Sequence, residues 1–520
     1  MLSNHYKPEL LILAPEENAQ DGNLLSLVSQ LLELGMPFEL EDNWAVPTKP
    51  RRELTAYKSC LFPETTKSKH DKDLDAYYKA GGFLCFDKYY PTAAQTSRTG
   101  FTSSTASYLH MAWGRDLYFY STVSYLFEAG VTRYDPDFRR TLERRSTRQM
   151  LNECRESFLS KARTHKGPWR DWGDPAWTTF LVAMAASRSL GDDEWSKAID
   201  SLASCICEAA DEAFRDPIRF QEIPVEGAAV NSFENMGHVL MKRGTENGDK
   251  SLIDTGVRLA KYYAEYVFEK RGDTTIDRRG VLFYNGESLQ GVPALYWLSR
   301  HTGNRSYAEI ADRLVRTAIS KTQRADGLWH HWVDLRNDDK GACWSRAQLW
   351  PMVAMTEALF ALDCKAASAE PMRASIQRTF AALAKFQDPD WGLWRLVADE
   401  HDSRIESSAA AGILYCHDRL REMGVLDDRY REMTDRAFLG LKRLYYQGGL
   451  AACCRGTACG DINYYRSRPQ GYQQRTHFPA VVATRLGCQP HLCSTPELSD
   501  HGRRQDVLDF RRNVVPPSVG

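Results

Sequence analysis

Apolar positions are spaced differently on the two sides of residue 100. Before it they come as short continuous runs: Leu10-Leu-Ile-Leu-Ala-Pro15, Pro37 to Leu40, Ser59-Cys-Leu-Phe62 and Phe83-Leu-Cys-Phe86. Unbroken runs of this kind predict strands buried on both faces, as in a parallel sheet. Leu24 to Leu34 follows Asn23 and stops at Gly35, and Lys72 to Lys79 stops at Gly81-Gly82, so both predict helices. Strand, helix, strand, strand, helix, strand is a small α/β domain over residues 1–95.

From about residue 105 to 490 the period becomes helical. Tyr307, Ile310, Ala311, Leu314, Val315, Ala318 and Ile319 line one face, as do Ile253, Val257, Ala260, Ala264 and Val267, and Met433, Ala437, Leu441 and Leu444. Leu349 to Leu362 and Phe180 to Ala186 are apolar nearly all round, which a buried helix requires. One-faced and all-round helices alternate, punctuated by Gly167-Pro-Trp169, Gly280-Val-Leu-Phe283, Gly327-Leu-Trp329, Gly392-Leu-Trp394 and Gly449-Leu450. The pattern predicts a mainly α protein: an (α/α)6 toroid of helical hairpins, its inner ring wrapped by an outer one, over residues 105–490. An open solenoid is the alternative, with shorter and more regular repeats. Residues 496–520 turn polar and read as a loose C-terminal tail.

Composition narrows the function classes. Lys plus Arg is 67 and Asp plus Glu is 68 in 520 residues, so no charge excess serves a nucleic acid or an anionic membrane. The 13 cysteines include no CxxC pair, which argues against a zinc ribbon or a thioredoxin motif and for free buried thiols. The N-terminus lacks a basic segment leading into an apolar one, and no apolar run approaches the roughly 18 residues of a membrane helix. A cytoplasmic protein needing neither metal nor organic cofactor is expected.

In a toroid, the loops entering the inner helices converge on one mouth. Phe233-Glu-Asn-Met-Gly-His238 and Tyr284-Asn-Gly-Glu-Ser-Leu-Gln-Gly-Val-Pro293 each place one carboxylate, Glu234 or Glu287, at such an entrance, 53 residues apart. Two facing carboxylates suit acid/base work on a sugar, although the helix dipole favours acids at helix starts in any case. Aromatic planes with donors and acceptors between them follow: His331 in Gly327-Leu-Trp-His-His-Trp332, then Trp344, Arg346, Gln348 and Trp350 in Cys343-Trp-Ser-Arg-Ala-Gln-Leu-Trp350. Arg346 suits a carboxylate fork, and an aromatic core layer accounts for the same residues. Ser407 and Ser408 open a small-residue helix that admits either a ligand or a neighbouring helix. Asp116 in Ala112-Trp-Gly-Arg-Asp116 and Trp172 in Trp169-Arg-Asp-Trp-Gly-Asp-Pro-Ala-Trp177 are further candidates for the mouth, and Cys459 to Arg466 for closing it.

From Asn231 to Leu444 the chain resembles the unsaturated glucuronyl hydrolases of glycoside hydrolase family 88 and the unsaturated rhamnogalacturonyl hydrolases of family 105. The resemblance is carried by Trp344-Ser-Arg-Ala-Gln-Leu-Trp350, which has Ala347 where the families have glycine, and by Glu406-Ser-Ser-Ala409. The turns Asn247-Gly-Asp249 and Thr302-Gly-Asn304 carry it too. It implies hydration of the C4=C5 double bond of a terminal unsaturated uronic acid on an oligosaccharide, with Glu287 protonating the alkene and activating water. Glu234 would then position the ring. Gln348 and His331 would bind ring or water, and Arg346 would hold the site or the uronate. His238, Trp344, Trp350, Ser407 and, by their own chemistry rather than the resemblance, Trp172 and Asp116 are the candidates to complete the pocket. Both acids are aspartates in those families, so a shifted pocket or different chemistry stays open.

The first 85 or so residues resemble the amidotransferase-like domains attached to some glycosidases, in the cadence Tyr77-x-x-x-Gly81-Gly82-x-Leu84. Without a Cys-Gly nucleophile elbow this domain reads as an accessory unit or one that makes a homo-oligomer. Three other functions stay open: a conventional exo-glucuronidase using two glutamates, a sugar epimerase relying on His238, His330 and His331, and a non-catalytic carbohydrate-binding toroid.

Overall fold

A computed structural model of the chain describes residues 10–13, 38–41, 53–57, 59–62, 71–80, 83–86, 99–101, 143, 146–164, 174–191, 193–215, 231–267, 282–362, 364, 366–400, 403–446, 449–454, 460–466, 470–473 and 476–488. The chain forms two compact units, residues 1–145 with 467–472 and 492–520, and residues 146–466 with 473–491. The helix expected over 24–34, the start of the helical part near 105 and the polar tail lie outside the described residues.

The first unit is built on a five-stranded parallel sheet. Its strands are β1 (Leu10–Leu13), β2 (Phe38–Glu41), β3 (Ser59–Phe62), β4 (Phe83–Phe86) and β5 (Thr99–Phe101), in the order β2-β1-β3-β4-β5, and helix α1 (Asp71–Lys79) joins β3 to β4. Leu10 to Leu13 are wholly buried, as an unbroken apolar run demands. The strand β5 escapes the sequence pattern because Thr99-Gly-Phe101 contains no apolar run.

The second unit contains twelve long helices among the described residues: α2 (Thr147–Thr164), α3 (Asp174–Leu190), α4 (Asp193–Arg215), α5 (Asn231–Asn247), α6 (Lys250–Tyr262), α7 (Asn285–Thr302), α8 (Arg305–Thr322), α9 (Ser345–Ala361), α10 (Glu370–Phe386), α11 (Ser407–Glu422), α12 (Arg431–Leu444) and α14 (Phe478–Cys488). A short helix, α13 (Ile462–Arg466), precedes the last. The helices α3, α5, α7, α9, α11 and α14 pack each on the next, and α14 packs back on α3, so six inner helices close a ring. Each carries an outer partner, α4, α6, α8, α10 and α12 in turn, while α14 takes α2 from the beginning of the unit. The predicted toroid is therefore the observed fold, and it closes by pairing its first helix with its last.

Local chemistry sets the hairpins. Gly248 and Gly303 adopt φ of +70° and +73°, the left-handed conformation that ends a helix. Immediately after them Asp249 accepts from the backbone N–H groups of Ser251 and Leu252, and Asn304 from that of Ser306, so each outer helix is capped where the inner one stops. Short antiparallel pairs join the entrances: β6 (Leu282–Tyr284) with β7 (Trp332–Asp334), β8 (Trp394–Arg395) with β9 (Ile405–Glu406), and β10 (Tyr445–Tyr446) with β11 (Gly449–Cys454). Among the described residues no helix is long and apolar enough to cross a membrane.

Charge also lies inside the ring. Lys242 of α5 donates to Glu357 of α9, and both are buried. These helices are separated by α7 in the ring, so the pair reaches across the lumen. Tyr415 of α11 donates to the other Glu357 oxygen at 2.7 Å, and His238 Nε2 stands 3.6 Å from the carboxylate. Burial alone would raise the Glu357 pKa, but Lys242, His238 and Arg419 outweigh it and hold the carboxyl below its usual value. Replacing Lys242 by Met leaves that charge without its main counter-charge. The substitution is expected to cost about 3–5 kcal/mol, read as a lower midpoint in denaturant unfolding.

Candidate active site at the rim of the ring

Each inner helix lies between two outer ones in sequence, so the six inner helices run the same way and their N-termini share one rim. Glu234 is the fourth residue of α5 and Glu287 the third of α7, and the two helices pack side by side. The Glu234 side chain is buried; that of Glu287 lies outside the described residues. Next to Glu234, Asn235 Nδ2 donates to Gln290 Oε1 at 3.2 Å and ties the helices together. Asn285, at the head of α7, donates through Nδ2 to the carbonyls of His330 and Ala347, both at 2.9 Å, and so locks α7 to α9.

The entrance to α9 carries the aromatic and basic residues. Trp344 is its N-cap and is buried beside Tyr465 and Val397. The Arg346 guanidinium lies 5.7 Å from the Trp344 ring, donates to Ser408 Oγ at 2.9 Å and to the Cys454 carbonyl, and sits 3.8 Å from Glu406. Glu406 is itself the N-cap of α11, accepting from Ala409 N–H, Ser408 Oγ and Cys454 N–H at 2.6, 2.6 and 2.8 Å. The carboxylate nearest Arg346 at the rim is thus supplied by the protein, as an ion pair at 3.8 Å rather than a hydrogen-bonded fork. Ser407 Oγ lies 3.2 Å from Cys453 Sγ, inside the protein.

Two expected ligand-binding side chains prove to be occupied. Gln348 is fully buried, accepts from Trp329 N–H at 2.7 Å, and donates to the carbonyls of Trp329 and Trp344 at 2.7 and 3.0 Å. Its amide clamps the Trp329 peptide and is saturated there, so the group expected to bind ring or water holds the rim in shape. His331 is buried with its Nδ1 2.7 Å from Tyr465 Oη, which also accepts from Trp332 Nε1 at 3.0 Å. Tyr465 Oη thus joins the Trp332 indole to the His331 imidazole, the direction of the second bond following the imidazole tautomer. Tyr284 and Trp344 close edge-on around the ring, at 5.4 and 4.9 Å between centroids. The neighbouring His330 turns the other way, into a cleft of about 480 Å³ lined by Lys321, Arg324, Asp326 and Lys340.

Below the rim the lumen is crossed by two tryptophans. Trp177 of α3 stacks on Trp350 of α9 with 6.5 Å between ring centroids and 27° between planes. These helices stand opposite each other in the ring of six, so the pair forms a floor. Gly286 lets Trp350 come close: a Cβ on it would lie 3.0 Å from Trp350 Cβ and Cδ1. Under the floor, Trp177 Nε1 donates to His238 Nδ1 at 2.9 Å. His238 is wholly buried beneath the aromatic layer, away from the open rim where a substrate contact was expected. Asp116 and Trp172 lie outside the described residues. The sequence pattern missed Lys242, Glu357 and Tyr415 as a connected set, since they stand far apart in the chain and only the packed ring joins them.

A closed ring of six helical hairpins, with an arginine and aromatic planes at the rim where Glu234 and Glu287 begin adjacent helices, defines this unit as an (α/α)6 toroid. The Glycosyl Hydrolase Family 88 pattern matches residues 289–478, and that stretch is homologous to the unsaturated glycoside hydrolases of families 88 and 105. The chain is 31% identical over 112 residues to the unsaturated rhamnogalacturonyl hydrolase YesR of Bacillus subtilis, covering 21% of this chain and 31% of that protein. It is 29% identical over 148 residues to a 24.9 kDa protein in the picA locus of Rhizobium radiobacter, covering 26% of this chain and 63% of that protein. The chain thus spans less than two thirds of the length of the curated relatives it matches. A solved structure of a possible member of the GH105 family from Klebsiella pneumoniae aligns at a TM-score of 0.52, with 19% identity over 66% of this chain and 92% of that one. One from Salmonella enterica aligns at 0.51, again at 19% identity, over 68% and 95%. At that identity the likeness is one of fold. The comparisons lend no support to an amidotransferase-like first domain.

Two predictions follow from the buried hydrogen bonds and histidines. Tyr465→Phe strips His331 Nδ1 and Trp332 Nε1 of their shared partner and is expected to lower stability by about 1–3 kcal/mol, measured by urea unfolding. Burial pushes His238 and His331 down to about 3 and His477 to about 4, from 6.5. Between pH 6.5 and 4 the unfolded chain binds protons at these histidines that the folded one refuses, so stability falls as pH falls. The loss is about 1.4 kcal/mol per pH unit for each group below its unfolded pKa. Melting temperatures taken from pH 7 to pH 5 should drop steeply, and each of His238→Asn and His331→Asn should flatten the slope.

Proposed function

We propose that this protein is a glycoside hydrolase that removes a terminal unsaturated uronic acid from an oligosaccharide by hydrating its C4=C5 double bond. The observation that carries the reading is the placing of two glutamates in the first turns of adjacent inner helices, above an aromatic floor, in a ring homologous over residues 289–478 to family 88. Glu287 donates its proton to C4 while its conjugate base takes one from the water that adds to C5. The resulting hemiketal opens and releases the rest of the sugar. Glu234 orients the ring, Trp350 offers it an apolar face, and Arg346, held by Ser408 and the Cys454 carbonyl, presents positive charge to the uronate carboxyl. The N-terminal α/β unit serves as an accessory or assembly domain. The free thiols of Cys60, Cys154, Cys205, Cys207, Cys343, Cys364, Cys416, Cys453 and Cys454 suit a cytoplasmic setting.

A second reading is favoured by one feature, the presence of glutamate where families 88 and 105 have aspartate: conventional hydrolysis of a saturated glucuronide by the same two acids. Absorbance near 235 nm distinguishes them, because the conjugated double bond absorbs there and hydration removes it. With unsaturated disaccharides from lyase-digested pectin, glycosaminoglycan or alginate, the signal is expected to fall. Glu287→Gln should slow that fall by about 10²–10⁴-fold, the usual span of general acid–base catalysis. A stable signal together with cleavage of saturated nitrophenyl glycuronides would establish the conventional reaction, and silence on both a binding protein.

A further inference from the structure

We propose that His238 is a positioning residue that holds Trp177 against Trp350, so that the floor of the mouth presents a fixed aromatic face to the sugar. The inference rests on the reading of the rim as a uronide site. It differs from that reading in giving His238 no contact with substrate.

Six side chains from four inner helices form one series. Trp350 of α9 stacks on Trp177 of α3, Trp177 donates to His238 of α5, and His238 faces Glu357 of α9, which Tyr415 of α11 and Lys242 of α5 hold in place. The indole N–H can only donate, so His238 Nδ1 accepts and the imidazole is neutral with its hydrogen on Nε2. The Nε2 atom stands 3.6 Å from Glu357, beyond hydrogen-bond reach, so the carboxylate acts on that tautomer through its charge alone. Burial, which makes a charged imidazole costly, keeps the ring neutral. Without the acceptor at Nδ1, the Trp177 N–H would be left buried and unmatched, and the indole would tilt to find a partner. Trp350 has little freedom on its other side, because Gly286 lies against it. The tilt of Trp177 therefore sets how the floor lies.

The test uses the intact chain and four variants: His238→Phe, His238→Asn, Trp177→Phe and the double variant His238→Phe/Trp177→Phe. Asparagine places an acceptor near the position of Nδ1, whereas phenylalanine fills the space without one. On the unsaturated disaccharide that the wild type hydrates, His238→Phe is expected to raise KM about tenfold, the scale of one lost hydrogen bond, with kcat within about threefold. His238→Asn should restore most of the loss. Adding His238→Phe to Trp177→Phe should change little, since the histidine acts through the indole. A hundredfold fall in kcat at unchanged KM for His238→Phe, or additive effects in the double variant, would overturn the proposal.

Near-ultraviolet circular dichroism of the stacked tryptophans supplies a readout that needs no substrate. The band lost in Trp177→Phe should also be lost in His238→Phe and return in His238→Asn. Those band changes in a protein inactive on every uronide would sink the functional reading and leave the positioning intact. An unchanged band in His238→Phe would sink the positioning whatever the activity. Should His238→Phe fail to fold, Trp177→Phe carries the test: it removes the donor and leaves the Glu357 cluster alone, and an unmoved KM there overturns the proposal.

Discussion

A single buried carboxylate organises the middle of the ring. A carboxylate taken out of water is costly unless positive charge and hydrogen-bond donors surround it. Glu357 obtains them from helices that do not neighbour each other in sequence: Lys242 from α5 and Tyr415 from α11. The lysine pays its own desolvation, which lowers its pKa, and Glu357 restores part of it. Satisfying this one group requires the inner helices to stand at fixed distances across the lumen. Apolar packing between adjacent helices would tolerate many ring diameters, whereas a pair reaching across the lumen tolerates few.

The lumen is consequently layered. At the rim, backbone and side-chain hydrogen bonds stitch the entrances of α7, α9 and α11 through Asn285, Gln348 and Glu406. Below lie the stacked tryptophans, and below them the ionic cluster. Water-facing chemistry is thereby confined to the first turns of the inner helices, where N-terminal dipoles and unpaired backbone N–H groups favour negative charge. A ligand approaching that rim would meet polar groups held by others, so little side-chain order would have to be gained on binding.

Much of this was legible in the sequence, and the limits have physical causes. Helical period, all-round apolar segments and glycine punctuation were enough for the toroid, because burial on every side of a helix leaves few other architectures. The turns at Gly248 and Gly303 were legible because left-handed backbone and capping favour particular residue types. The strand Thr99–Phe101 was not, since its place comes from pairing with Phe83–Phe86. Gln348 shows a subtler limit. A polar residue among aromatics reads as a ligand contact, yet its amide matches a backbone N–H and C=O equally well, and only geometry decides that the Trp329 peptide has it. Tyr465, Lys242 and Glu357 belong to patterns of tertiary contact, which no local spacing reveals.

The stretch homologous to family 88 begins at residue 289 and so leaves out both glutamates, His238, Lys242 and Trp177. Similarity of sequence alone would therefore leave half of the mouth unassigned. Contacts of the ring supply the missing connection: Trp177 of the unmatched part stacks on Trp350 of the matched part, and Lys242 neutralises Glu357 across the same divide. Closure itself depends on both parts, since α14, which packs on α2 and α3, also packs on α11 of the matched part, and Tyr445 donates to Glu153 at 2.6 Å, 292 residues away in the chain. Contacts that distant in sequence form only when the whole ring does. The matched segment cannot bury its inner faces alone, and the acids at the start of α5 and α7 gain an opposite wall only from it. The two parts therefore make sense physically as one site.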